Sequence, residues 1–98
     1  MRMENDAKRF VAAHLGQRAA LEGLAEECCE LAQAALKLIR AIDGENPTPV
    51  SEEACAKKLQ EEAGDVLMLL EFLGIVSDGT TADNPKWERW AKRIRVSI

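Results

Sequence analysis

Between Gln17 and Ile42 the sequence reads as one helix. Leu21, Leu24, Cys28, Leu31, Ala35, Leu38 and Ile42 recur at steps of three and four residues, the spacing that lines side chains along one face of a 3.6-residue turn. Ala25, Cys29, Ala32 and Leu36 add apolar surface on a neighbouring face. A surface helix of a small domain needs one apolar stripe. A stripe this wide calls for several helices around it or for a second subunit. With 98 residues the chain is one domain, with little core to spare.

The stretch DGENPTPVSEE then breaks the helix. Asp43-Gly44 ends it, Pro47 and Pro49 prevent its continuation, and Ser51 is placed to cap a second helix with Glu52 and Glu53 in its first turn. The second helix is expected over 51–76. SDGTTADNP forms another loop, and Asn84-Pro85 opens a last helix over 84–95 that carries Trp87, Trp90, Ala91 and Ile94 on one side. Residues 1–16 read as a lead-in, a short helix or a mobile segment, broken at His14-Leu15-Gly16. Alanine and leucine are abundant and β-branched residues few, which favours helix. The expected fold is all-α: one domain over 1–98, a small helical bundle protomer of two long antiparallel helices (17–43 and 51–76) plus a short C-terminal helix, completed by oligomerisation.

Several function classes fall away. A net charge of −4 and a pI near 5.0 give no attraction for nucleic-acid backbones. No run approaches the eighteen or so apolar residues of a membrane span, and MRMENDAKRF lacks the apolar centre of a secretion signal. The cysteines are Cys28, Cys29 and Cys55, an odd number with two adjacent, and there is no Cys-x-x-Cys. That excludes a disulfide framework or zinc site and points to a reducing cytoplasm. All three read as small core or interface residues.

The chemistry lies in acids placed on apolar faces. Between Val66 and Val76 only Glu71 is charged, so this segment is expected to be buried nearly all round. Glu62 and Asp65 fall in the same sector as Leu69, Leu73 and Val76. On the first long helix Glu27 borders the main stripe and Glu30 lies further round, while Glu26 lies outside. Each helix thus carries acid-x-x-acid, a step that puts both side chains on one face. Packed antiparallel, the helices would bring four carboxylates together, raising each other's pKa and calling for cations. All-oxygen ligation selects magnesium, manganese or calcium, and no EF-hand loop is present. Magnesium keeps open positions for water and phosphates, which suits hydrolysis of a phosphoanhydride.

EECCEL (Glu26 to Leu31) followed by EEAGDVL (Glu61 to Leu67) resembles the Glu-x-x-Glu…Glu-x-x-Asp signature of the MazG-like all-α nucleoside triphosphate pyrophosphohydrolases. The resemblance covers roughly 17–76. It implies a helical protomer assembling into a homodimer or homotetramer, and magnesium-dependent hydrolysis of an NTP or dNTP to the monophosphate and pyrophosphate. It carries the metal-binding and catalytic roles to Glu27, Glu30, Glu62 and Asp65, with manganese as an alternative ion. Family members place basic C-terminal residues near the phosphates, and here Lys86, Arg89 and Arg93 share one side of the last helix. The spacer holding Pro47 and Pro49 is long for the family.

Other residues have plainer readings. His14 reads as a surface or capping group. Trp87 and Trp90 read as packed against the bundle rather than stacked on a base, and Glu71 marks a solvent edge or a polar subunit contact. The competing function is a non-catalytic helical module, for interaction or for regulatory nucleotide binding, whose acids are surface charge.

Overall fold

The structure, a computed structural model, describes residues 3–44, 50–77 and 83–98. The described residues form four helices: α1 (Met3–His14), α2 (Gln17–Asp43), α3 (Glu52–Phe72) and α4 (Lys86–Ser97). The chain is all-α, and none of these helices is long and apolar enough to cross a membrane. Pro47 and Pro49 lie outside the described residues, as do residues 78–82 of the second loop.

The helix ends follow local chemistry. Gly44 closes α2 in the left-handed region at φ 72°, with its N–H donating back into the last turn. Ser51 Oγ accepts the Ala54 N–H at 3.1 Å and starts α3. Asn84 Oδ1 accepts the Lys86 N–H at 2.9 Å, and Pro85 already has helical dihedrals. The lead-in is helical almost throughout. At its end the His14 Nδ1–H donates to the Phe10 carbonyl at 2.8 Å, and the two rings stack 4.3 Å apart.

α3 stops four residues before the expected Val76. Gly74 takes φ 72°. Its N–H donates to the Glu71 carbonyl, and the Ile75 N–H donates to Leu70, each at 3.0 Å. This pair of bonds is the Schellman arrangement, which needs a residue tolerant of positive φ at the turn.

The fold is organised by one contact, between α2 and α3. Gly23 sits against Leu69, and further along α2 Glu27 and Glu30 sit against Glu62, so the two helices run antiparallel. The seam positions, all sheltered, are Ala20, Leu24, Glu27, Leu31, Ala34, Leu38 and Ala41 of α2 and Cys55, Leu59, Glu62, Val66 and Leu69 of α3, with Leu73 just past its end; Gly23, Ala35, Ala56, Leu70 and Phe72 are half-buried besides. Both sets step alternately by four and three, the spacing of a coiled-coil seam. The seam is turned by about 60° from the expected stripe on α2, at about 100° per residue. Cys28 and Cys29 are consequently exposed, and only Cys55 is in the core.

Much apolar surface stays uncovered. The fully sheltered apolar residues are Ala20, Ala34, Cys55, Val66 and Leu69. Leu67 and Met68 are half exposed, so the Val66–Leu73 segment is covered on one side rather than all round. Trp87 and Trp90 are also more than half exposed, against the expectation that they pack on the bundle. α1 and the end of α3 enclose an apolar groove of about 510 Å³ lined by Val11, Leu15, Met68 and Phe72. The radius of gyration is 17.4 Å, well above the roughly 13 Å of a compact domain of this length.

Two glycines give opposite predictions. A Cβ on Gly23 would lie 3.6 Å from Leu69 Cδ1, an ordinary contact, so Gly23→Ala should stabilise by about 0.5–1 kcal/mol through helix propensity. Gly74→Ala has open space but must hold positive φ, and should cost about 1–2 kcal/mol. Denaturant midpoints of the two variants would separate the signs.

Candidate metal centre

Glu27 and Glu62 occupy seam positions, with leucines and valine along the same lines above and below them. Glu62 is only 5% exposed. Glu27 is half-buried, in the centre of the seam rather than at its border. Glu30, one turn on, is exposed but turns a carboxylate oxygen to the same place. One oxygen from each of the three lies within 4.8 Å of the other two. Two oxygens bound to one magnesium at about 2.1 Å stand no more than about 4.2 Å apart, so the trio is close to the span of a single ion's shell.

Hydrogen bonding leaves the cluster incomplete. Oε2 of Glu27 and Oε2 of Glu62 are sealed from water with no donor within reach. A buried carboxylate oxygen in that state is costly unless a cation or proton reaches it. Lys58, one turn before Glu62, meets its other oxygen at 3.1 Å. This lysine is more than half exposed and supplies one positive charge from the rim. Its own pKa is raised, first by the hydrogen bond to Glu62 and then by the charges of Glu62, Glu61 and Glu30.

The Glu27 carboxyl is held above its ordinary range. Loss of water is the largest cause, followed by the adjoining Glu30, which shares its proton and repels its charge, and then by Asp65 and Glu62. Asp65 therefore lies near enough to act on Glu27. Its side chain is exposed, however, and it is not one of the three converging acids. Sequence spacing put Asp65 in the sector of Leu69 and Leu73. The seam is centred on Glu62, which leaves Asp65 at its edge.

Two sealed carboxylate oxygens, a third acid beside them and all-oxygen chemistry fit a small hard dication such as magnesium or manganese. Ala63 and Gly64 are exposed, and nothing approaches within 4 Å of where a Gly64 Cβ would stand. The close approach that small residues permit is therefore not used within one protomer. Lys86, Arg89 and Arg93 are exposed on α4, which among the described residues makes no extensive contact with α2 or α3. The structure does not bring them to the acids. Lys58 was not among the residues singled out from the sequence, although its place four positions before Glu62 was the available signal. Comparison with protein-family models, with curated proteins and with solved structures returns no match.

The raised Glu27 pKa has a definite sign for stability. A carboxyl whose pKa is higher folded than unfolded stabilises fully below its ordinary value, near 4.5, and loses that contribution as pH rises through the folded value. Without divalent cations, Glu27→Gln should therefore raise the denaturation midpoint at about pH 7.5 and leave it nearly unchanged at about pH 4. Chemical denaturation in chelator at both pH values gives the comparison.

Proposed function

We propose that the chain is a magnesium-dependent nucleoside triphosphate pyrophosphohydrolase. In this reading it works in the cytoplasm as a homodimer or homotetramer and converts an NTP or dNTP to the monophosphate and pyrophosphate. The observation that carries this reading is the pair of sealed, partnerless carboxylate oxygens on Glu27 and Glu62, with Glu30 converging on them. The resemblance of EECCEL and EEAGDVL to the MazG-like signature supplies the substrate class.

Glu27, Glu30 and Glu62 would hold the ion, with Asp65 at the rim as the fourth acid. When bound there, magnesium supplies charge neutralisation to the triphosphate and acidifies water. A carboxylate of this cluster accepts the proton of the attacking water. The water oxygen bonds to the α-phosphorus, the bond from that phosphorus to the bridging oxygen breaks, and pyrophosphate departs with the electron pair. Lys58, ion-paired with Glu62 at the rim, would offset the outgoing charge. Lys86, Arg89 and Arg93 would reach the phosphates only from a subunit or conformation that brings α4 over the seam.

The test is pyrophosphate release from a panel of common and deoxy nucleoside triphosphates, with and without magnesium. Turnover that needs magnesium is expected with at least one of them. Glu27→Gln, Glu62→Gln and Asp65→Asn should each lower kcat by at least about 100-fold, the scale of losing a group that acts on the reacting centre. A non-catalytic interaction module predicts no release from any nucleotide. A regulatory nucleotide binder predicts magnesium-dependent binding without release.

A second measurement isolates the ion. Magnesium should raise the melting temperature of the unaltered chain at about pH 7.5 and less so at about pH 5, because the ion competes with protons for the acids. The Glu27→Gln variant should show little response at either pH.

A further inference from the structure

The seam with α3 leaves a whole side of α2 bare. Leu21, Ala25, Cys28, Ala32, Leu36 and Ile39 fall within a sector of about 80° at ideal helix geometry. All six are exposed, with Leu21 at 46% and Leu36 and Ile39 at 53%. The stripe is about 27 Å long at 1.5 Å per residue. Small residues occupy its middle and large ones its ends, so another helix can approach closely at the centre.

We infer that this stripe pairs with the same stripe of a second copy, antiparallel, about a two-fold axis near the level of Glu30. Leu21 then meets Ile39 of the second copy, Ala25 meets Leu36, and Cys28 meets Ala32. Two large residues meet in the end layers, one large and one small in the next, and a small pair at the centre, and every contact is made twice, as a closed two-fold interface requires.

Charge fixes the direction. Glu22 and Glu26 lie on one flank of the stripe in the first half of α2, and Lys37 and Arg40 lie on the same flank in the second half. In an antiparallel pair related by a two-fold, each flank faces the identical flank of the other helix with its direction reversed. Glu22 and Glu26 are thereby set at the height of Lys37 and Arg40 of the second copy. A parallel pair would instead set this charged flank against the opposite one, which holds Leu24, Ala35 and Ile42. Within the chain Glu22 accepts a hydrogen bond from Arg18 Nε at 3.1 Å, an exposed pair that restrains it weakly. All four acids and bases of the flank are exposed and face away from the α3 seam.

The pairing concerns the oligomer and is read by mass, so loss of the hydrolase reading would leave it standing. Sedimentation equilibrium of the full chain should show a dimer. Leu36→Lys should raise the dissociation constant at least about 30-fold, the effect of losing an apolar anchor that acts at two equivalent places. Glu22→Lys or Arg40→Glu alone should raise it about tenfold, each reversal acting at two equivalent places. The double variant E22K/R40E should recover most of the loss, and a mixture of the two single variants should form a heterodimer tighter than either homodimer. These positions are exposed, and circular dichroism checks that each variant folds. The inference is overturned if the unaltered chain is monomeric, if Leu36→Lys leaves the dimer intact, or if the charge swap recovers nothing. It is equally overturned if Trp90→Ser dissociates the dimer and Leu36→Lys does not, which would assign the contact to α4.

Discussion

The protomer depends on one interdigitated line, where Ala20, Leu24, Leu31, Ala34, Leu38 and Ala41 of α2 meet Cys55, Leu59, Val66, Leu69 and Leu73 of α3. Two glutamates stand in that line. Polar residues at seam positions generally reduce stability and select register. Sliding the helices past each other by one turn would part Glu27 from Glu62 and set each carboxylate against leucine or valine. Lys58 stays with Glu62 in any register, being on the same helix; with a cation between them, the acids favour the one alignment in which they converge. The same placement that suits a cation also specifies how the helices align.

Much of this was legible in the residues. The span of α2, its glycine stop, the serine cap of α3 and the asparagine opening of α4 are local chemistry, and local patterns report them. Which stripe of α2 would face α3 is not local. The helix carries two apolar faces, and the true seam contains Glu27, which makes it look less apolar than its neighbour. The pattern accordingly puts Cys28 inside, whereas it is exposed, and puts Glu27 beside the seam, whereas it lies within it. The end of α3 was overrun because Leu73, Ile75 and Val76 continue the apolar pattern past Gly74, although that glycine is the residue a left-handed turn requires. Trp87 and Trp90 read as packed because three-residue spacing puts them on one side of α4, but that spacing does not say whether a neighbour lies within reach.

The acid pairs show the same division. Glu27/Glu30 and Glu62/Asp65 are equivalent in spacing, but only the first pair converges whole. A three-residue step advances the helix by about 300°, so when Glu62 points straight into the seam, Asp65 must sit some 60° to its side. On α2 the same offset turns Glu30 toward the cluster, because Glu27 lies on the seam and Glu30 on the margin nearest Glu62. A pattern of residues fixes which side chains share a face. The rotation of the face decides which of them meet.

The antiparallel seam also sets an order in which the hairpin can close. In the register set by Glu27 against Glu62 and Gly23 against Leu69, pairs around Ala34 and Cys55 span less chain, and those around Ala20 or Gly23 and Leu69 span more. Chain-closure entropy grows with that span. Zipping from the loop end is therefore the least costly sequence, and the glutamates lie about halfway along it. Their desolvation falls after several apolar layers have formed on one side, and it is compensated by the layers still to form on the other. A carboxylate pair at the loop end would burden nucleation, whereas a pair at mid-seam burdens a step that is already downhill.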